Sequence, residues 1–569
     1  MTGLSLSRRT LIGGIGASAL FPSWARSGTP GLSGGVGAPL SGPEIRLNVG
    51  HTSFTVGGRT GHAVTVNGTL PAPLIRLKEG QNARLIVSNH LDEDTSIHWH
   101  GLLLPFQMDG VPGISFPGIA PHSSFTYEFP VIQSGTYWYH SHSNLQEAMG
   151  HYGPIVIDPA EADPVAYDRE HVIVLSDWSF MHPHAIMRKL KQDPEFFRRD
   201  NPNLAELLAG KGQSLKERLE WGAMRMSPAD ISDVTGATYT YLVNGHGPEE
   251  NWTGLFTPGE RVRLRIINAS AMTIFNVRIP GLPMTVVNAD GENVRPVETD
   301  EIQISVAETY DVIVTPGDAA YTLAAESVDR SGMARATLAP RMGMSAPVPK
   351  LRERPTLTMK DMGHGSGSDH AAPGDMGAHS MKMRDPENAA RAGVKLNPGV
   401  DMIAPMPVDR VGDRGLGLED ATHRVLVYTD LVALAPNPDT RLPSRSLEIH
   451  LTSNMERYMW SFDGEQFSPV TEPFRFERNE RVRVTLVNDT MMAHPIHLHG
   501  HFFEVVNGHD GRHPRKHTVN VLPGGKLSFD LTADAPGDWA FHCHLLMHMH
   551  LGMFNVVTVR PLDGEGDAA

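Results

Sequence analysis

Residues 542–553 read HCHLLMHMHLGM and hold the chain's single cysteine beside four histidines. Among the other His-x-His pairs of the chain are His98 with His100, His140 with His142, and His497 with His499. Residues two apart in a strand face the same side, so each pair aims two imidazoles at one point. With His542 and His544 the pairs supply eight ligands, a number that suits three copper ions with positions open for a small molecule. One such pair is a weak signal, whereas four at matching places are a strong one. Strand parity turns Cys543 to the face opposite His542 and His544. His494, three residues before His497, also faces away from the cluster side. Cys543, His494 and His548 form a Cys-His-His set, with Met553 placed as a long axial ligand, which is a blue-copper electron-transfer arrangement. An electron arriving at Cys543 then passes through backbone to His542 and His544. His151 and His550 read as ordinary surface histidines and Met549 as core, so none joins the set.

The elements that must position these residues show up as repeats. Segments 79–91, 258–270 and 478–490 share a turn, an alternating apolar strand and a closing asparagine, and each is followed by another strand. A second set recurs at 134–142, 317–327 and 536–544. Short alternating strands at this spacing predict β-sandwiches, and three copies predict an all-β chain of three of them. We place them at 43–160, 165–345 and 420–562. At these two places only the first and third copies carry His-x-His. Ser141 stands at the cysteine's place in the first copy, so only the third is expected to hold the mononuclear copper. Residues 181–227 have helical character and read as an insertion in the second module. Residues 355–406, rich in Gly, Met and His without apolar periodicity, read as a linker. The 56 glycines and 43 prolines suit a turn-rich protein of this kind. A formal charge of −15 argues against nucleic acid and anionic membranes as partners, and one cysteine excludes an internal disulfide framework.

The first 26 residues read as an address. Arg8 and Arg9 precede a short apolar stretch, Leu11 to Phe21, and a small-x-small site at Ser23-Trp24-Ala25. This pattern resembles a twin-arginine signal, whose export machinery moves folded proteins. No later segment is long and apolar enough to span a membrane. A periplasmic protein is the expectation.

The spacing His-x-His, His-x-His, His-x-x-His-x-His, His-Cys-His-x3-His-x4-Met resembles that of the multicopper oxidases, and it covers modules one and three. The resemblance implies three cupredoxin-like Greek-key domains and four copper ions: one type 1, one type 2 and a type 3 pair. It implies that His98 and His497 hold the type 2 ion, and that His100, His140, His142, His499, His542 and His544 hold the type 3 pair. Electrons taken singly at the blue copper would reduce dioxygen to water at the cluster. The segments RMSPADISDVTGATYTYLVNG, QSGTYWYHSHSNLQEAMGHYG and PRKHTVNV, with the signal, look like the copper-resistance protein A subfamily. Asp109 matches an acid beside the cluster in related oxidases, and it also suits a turn before Gly110. Many relatives carry a second acid just after the histidine equivalent to His548, where this chain has Met549.

Residues 359–383 carry Met359, Met362, Met376, Met381 and Met383 with His364, His370 and His379. Thioether beside imidazole is a good environment for Cu(I), so this stretch is read as recruiting it. Asp489, Met491 and Met492 would hold a cuprous ion near the blue copper. The sequence therefore points to a Cu(I) oxidase that also accepts phenols or other small one-electron donors, with a periplasmic copper-binding protein as a further partner. A phenol or manganese oxidase and a copper-sequestering protein are the alternatives.

Overall fold

The computed structural model describes residues 39–198, 207–208, 214–224, 226–364 and 383–562. The signal stretch and four of the methionine-rich positions, His370, Met376, His379 and Met381, lie outside the described residues.

The chain forms three successive pairs of β-sheets. The first pair has two four-stranded sheets, the second six- and five-stranded sheets, and the third seven- and five-stranded sheets. The sequence repeats have a topological counterpart. In each module the first strand runs parallel to the repeat strand: Ile45–Val56 beside Asn82–Asn89, Arg169–Ser179 beside Val262–Asn268, and Arg445–Asn454 beside Arg481–Asn488. Parallel neighbours need a crossover, so each module is a cross-connected sandwich and not a meander. The strand Ile45–Val56 shows the cause of layering: Ile45, Leu47 and Val49 are buried while Arg46 and Asn48 are exposed. Module one has its own apolar cluster, whereas modules two and three share one continuous cluster.

The closing asparagine of each repeat is a clip. Asn89, Asn268 and Asn488 are buried, and the Oδ1 of each accepts the backbone N–H two residues on. Their amides donate to carbonyls across the turn, three for Asn89 and two each for Asn268 and Asn488, the latter those of Met492 and Val521. The clip turns the chain into the next strand, which carries the histidines in modules one and three. Asn488→Ala orphans those buried groups and should cost about 1–3 kcal/mol in denaturant unfolding. A loss of only a few tenths would show that the clip does not hold this turn.

The ligand-bearing strands are buried on both faces. In Gly135–His140, Tyr137 and Tyr139 enter the core of module one, while Trp138 joins the cluster shared by modules two and three. The helix Pro183–Gln192 starts on His182 as N-cap with proline at its first turn, and docks through Ile186 and Leu190. A second helix, Leu215–Met224, presents Trp221 inward. The described parts of 355–406 pack against the modules: Leu357, Met362, Met383, Val400, Met402 and Ile403 are buried, and Pro386–Ala392 is a helix. They anchor one residue at a time, which periodicity does not report. Among the described residues no helix is long and apolar enough to cross a membrane.

Candidate metal centre

Register brings the histidine pairs together. His98 lies opposite His140 in one sheet, and His497 opposite His542 in another. Trp99, between His98 and His100, points into the core of module one against Tyr127. The two sets of imidazoles therefore meet at the junction of modules one and three. The rings of His98 and His499 are 3.8 Å apart, as are those of His100 and His497. Nε2 of His499 is 3.0 Å from Nε2 of His542. Three groups have ligand atoms within 4.8 Å of one another: His98 with His142 and His499, His98 with His100 and His497, and His100 with His140 and His544. All eight predicted residues are in this junction. His142 alone among them is half-buried, and it lines a cavity of about 1110 Å³ with Val111, Ile114 and Phe554.

Burial, reinforced by neighbouring imidazoles, holds His100, His140, His142, His497, His499 and His544 well below the usual histidine range. Burial holds His542 down at about 4. These side chains are therefore neutral, the form that binds a metal. Several of the outward ring nitrogens at the junction are fixed by hydrogen bonds. Nδ1–H of His98 donates to the Asp109 carbonyl and that of His497 to the His517 carbonyl, each at 2.7 Å. A carbonyl only accepts, so the tautomer follows and Nε2 is left free. Nε2 of His98, His140, His142, His497 and His544, and Nδ1 of His100, have no hydrogen-bond partner among the described residues. Buried nitrogens left unpaired and aimed at one junction fit copper ions.

Asp109 fills both roles open to it. It follows the short helix Phe106–Met108, and a Cβ on the next residue, Gly110 (φ 82°), would lie 1.8 Å from the Ile97 carbonyl oxygen. Only glycine fits that turn. The Asp109 carbonyl meanwhile holds His98, and its Oδ2 accepts Nδ1–H of His499 at 2.8 Å.

On the other face of the same strand, Cys543 Sγ is 3.5 Å from Nδ1 of His494 and 3.9 Å from Nδ1 of His548. The two Nδ1 atoms are 3.3 Å apart. The Cys543 N–H donates to the Met553 carbonyl at 3.1 Å, which brings Met553, fully buried, beside the set. Burial pushes the Cys543 thiol up and the His494 imidazole down, so the thiolate forms only with a metal ion next to it. The far nitrogens are held by Thr490 Oγ1 on His494 and by Asp233 Oδ2 on His548, each at 2.7 Å. Trp460 stacks on His548 at 3.5 Å, and His548 has no exposed surface.

The proposed cuprous trio is divided by the structure. Asp489 accepts Nδ1–H of His450 at 2.6 Å and the Ala404 N–H at 2.8 Å, which uses both its oxygens. Met492 packs in the core shared by modules two and three. Met491 instead joins Met359, Met362 and Met383 in one cluster, together with Met224, Met226 and Met402. His364 lies half-buried at the end of that described stretch. A cavity of about 590 Å³ there is lined by Met224, Met226, Met383, Met455, Met491, Asp230 and Asp401. Burial pushes Asp230 up to about 7 and Asp401 to about 6. His151 is not at the surface as expected. It is fully buried, and burial holds it down at about 3. His550 is exposed and Met549 half-buried against the core. The sequence reading missed Asp233, Trp460 and Glu147 near the two centres, and also His517, whose ring lies 4.8 Å from that of His100. Asp233 stands inside a segment quoted above for its resemblance, yet no spacing ties it to His548.

Multicopper oxidase family models match residues 48–162, 169–341 and 440–563. The chain belongs to the multicopper oxidases: oxidoreductases that use dioxygen and carry type 1, type 2 and type 3 copper. Within them it is of the copper-resistance protein A type. It is 47% identical to a copper resistance protein A homolog of Pseudomonas syringae pv. tomato over 97% of this chain and 99% of the relative. It is 46% identical to copper resistance protein A of Escherichia coli over 98% of this chain and 99% of the relative. In fold it resembles Fet3p, a multicopper oxidase that functions in iron import (TM-score 0.64, 20% identity, 91% of this chain and 90% of that one). It also resembles the laccase from Botrytis aclada (TM-score 0.64, 22% identity, 94% and 89%).

Proposed function

We propose that this chain is a periplasmic cuprous oxidase serving copper resistance, exported by the twin-arginine route, with Cu(I) as the donor that its architecture selects. The observation that carries this reading is the methionine-lined cavity beside Asp230, three residues before the aspartate bonded to His548. Resident copper, when bound, supplies one-electron acceptance at the Cys543 site and four-electron reduction of dioxygen to water at the eight-histidine junction. The ligand assignment is that of the resemblance: His98 and His497 for type 2, and the other six histidines for type 3.

The residues of the chain do the rest. Soft thioethers of Met224, Met226, Met383 and Met491 suit Cu(I) as substrate and offer little to a phenol or to Mn(II). Burial holds the Asp230 carboxyl up to about 7 beside the Arg198 guanidinium at 3.1 Å, and an arriving cation favours its ionised form. Asp233 bridges from this side to the ring of His548. The peptide around Cys543 joins that site covalently to His542 and His544. His548 has no exposed surface and so leaves a phenol no ring edge to touch, which argues against phenols as the principal donor. A storage protein has no use for the Cys543 link, which argues against sequestration alone.

Oxygen uptake by copper-loaded protein tests the reading. Met226→Leu with Met491→Leu removes two sulfurs and keeps apolar volume. The apparent KM for Cu(I) should rise about tenfold or more, with phenol oxidation little changed. Equal losses for both donors, or none for Cu(I), would sink the assignment of this cavity.

A further inference from the structure

Modules one and three share a register that extends past the ligands. The Ser141 N–H donates to the His151 carbonyl at 3.1 Å, and the Cys543 N–H to the Met553 carbonyl at 3.1 Å. Counting along both loops pairs Thr95 with His494, Gln146 with His548, Glu147 with Met549 and His151 with Met553. In module three this loop delivers His548 to the thiol. In module one the same place is filled by hydrogen bonds: Gln146 Oε1 accepts from Thr95 Oγ1 at 2.7 Å and from Ser141 Oγ at 3.0 Å. Its Nε2 donates to the Asp94 carbonyl and to Glu93, each at 2.9 Å. With no metal to reach, the loop sends its next side chain elsewhere. Glu147 Oε2 lies 2.6 Å from Nδ1 of His140. Glu147 is 2% exposed and His140 1%, and the other carboxylate oxygen has no partner among the described residues. Among the described residues the Ser141 carbonyl, at 3.2 Å, is the other acceptor at that nitrogen.

We infer that Glu147 is a positioning residue for the type 3 centre: it takes Nδ1–H of His140, aims Nε2 at the ion shared with His100 and His544, and tightens that ligand. The vacated blue-copper loop of module one thereby supports the cluster. An acceptor behind a ligating histidine fixes the ring's tautomer and direction, and loss of such a partner costs about 10–100-fold in metal affinity. His542, at the matching place in module three, leans on the Cys543 carbonyl at 2.9 Å, and Met549 offers it no acceptor.

The test uses the full copper-loaded chain and reads copper, not turnover, so it stands apart from the Cu(I) reading. Glu147→Leu, Glu147→Gln and Glu147→Asp are dialysed against rising chelator. Type 3 copper is followed by its near-ultraviolet absorption and copper content, and the blue band serves as internal reference. Glu147→Leu should lose type 3 copper at 10–100-fold lower chelator with the blue band intact. Glu147→Gln keeps an acceptor oxygen within reach and should stay near the parent. Glu147→Asp keeps charge but withdraws it by a methylene and should fall between. If Glu147→Leu fails to fold, the order of the Gln and Asp variants decides. Type 3 retention equal to the parent in Glu147→Leu, parallel loss of the blue band, or Asp performing better than Gln would each overturn the inference. A His140→Ala control must lose the same signal, and its failure to do so would overturn the ligand assignment instead.

Discussion

Cys543→Ser should fold, lose the blue colour and abolish oxidation of every donor, while copper still binds at the eight-histidine junction. The expectation that it folds comes from the molecule itself, because Ser141 already serves at the matching position and makes the matching backbone bond. The total loss of function comes from chemistry. A thiolate is a strong, soft ligand once a metal ion removes its proton, whereas a serine hydroxyl stays protonated and gives neither the affinity nor the charge-transfer absorption. Cys543 is also joined by peptide bonds to two cluster histidines, His542 and His544, so loss of its thiolate removes the entry point to that link. Copper content should fall by about one ion per chain. The measurements are the visible spectrum, metal analysis and oxygen uptake with Cu(I) and with a phenol. A variant that keeps its colour or its turnover would show that the mononuclear site lies elsewhere.

The ligands were legible because two local rules suffice for them. Alternation along a strand decides which face a residue takes, and repetition decides which strands match. The shared face of each His-x-His pair and its recurrence in modules one and three follow from those rules, whereas strand pairing sets His98 opposite His140 and His497 opposite His542. The supporting residues obey neither. Asp233 reaches His548 across 315 positions of chain, and Trp460 covers the same ring from another strand. Nothing in the spacing of either residue marks it.

Errors also have identifiable causes. Asp489 and Met491 lie close to His494 in sequence, yet the Asn488 clip reverses the chain between them. Asp489 is turned to His450, and Met491 to the methionine cluster. Adjacency in a turn says little about direction. His151 was read as surface because an isolated histidine usually is; counted from Ser141 it stands where Met553 does, and that position is buried in both modules. Glu147 was open to the same count, and comparing the two loops residue by residue is the signal that finds it. In the described parts of 355–406, single anchors such as Leu357 and Met362 leave no period for a sequence pattern to report.

Asp109→Asn should leave the blue site and its reduction unchanged and slow reoxidation of the reduced protein by dioxygen about a hundredfold. Reduction of dioxygen to water consumes protons in a junction where seven of the eight histidines are buried. The carboxylate of Asp109 touches that junction from the side of His499 and faces His98 at 3.3 Å through its other oxygen. Asparagine keeps the shape, the backbone carbonyl that holds His98, and an acceptor for Nδ1–H of His499, so copper binding should survive. It removes the one function a hydrogen-bond acceptor cannot replace, which is to take up a proton and release it. The defect should deepen as pH rises, because fewer protons reach the junction by other routes. Stopped-flow reoxidation across pH, with blue-copper reduction measured on the same samples, separates the two steps. Wild-type reoxidation at every pH would leave Asp109 with its positional work alone, the turn before Gly110 and the grip on two histidines.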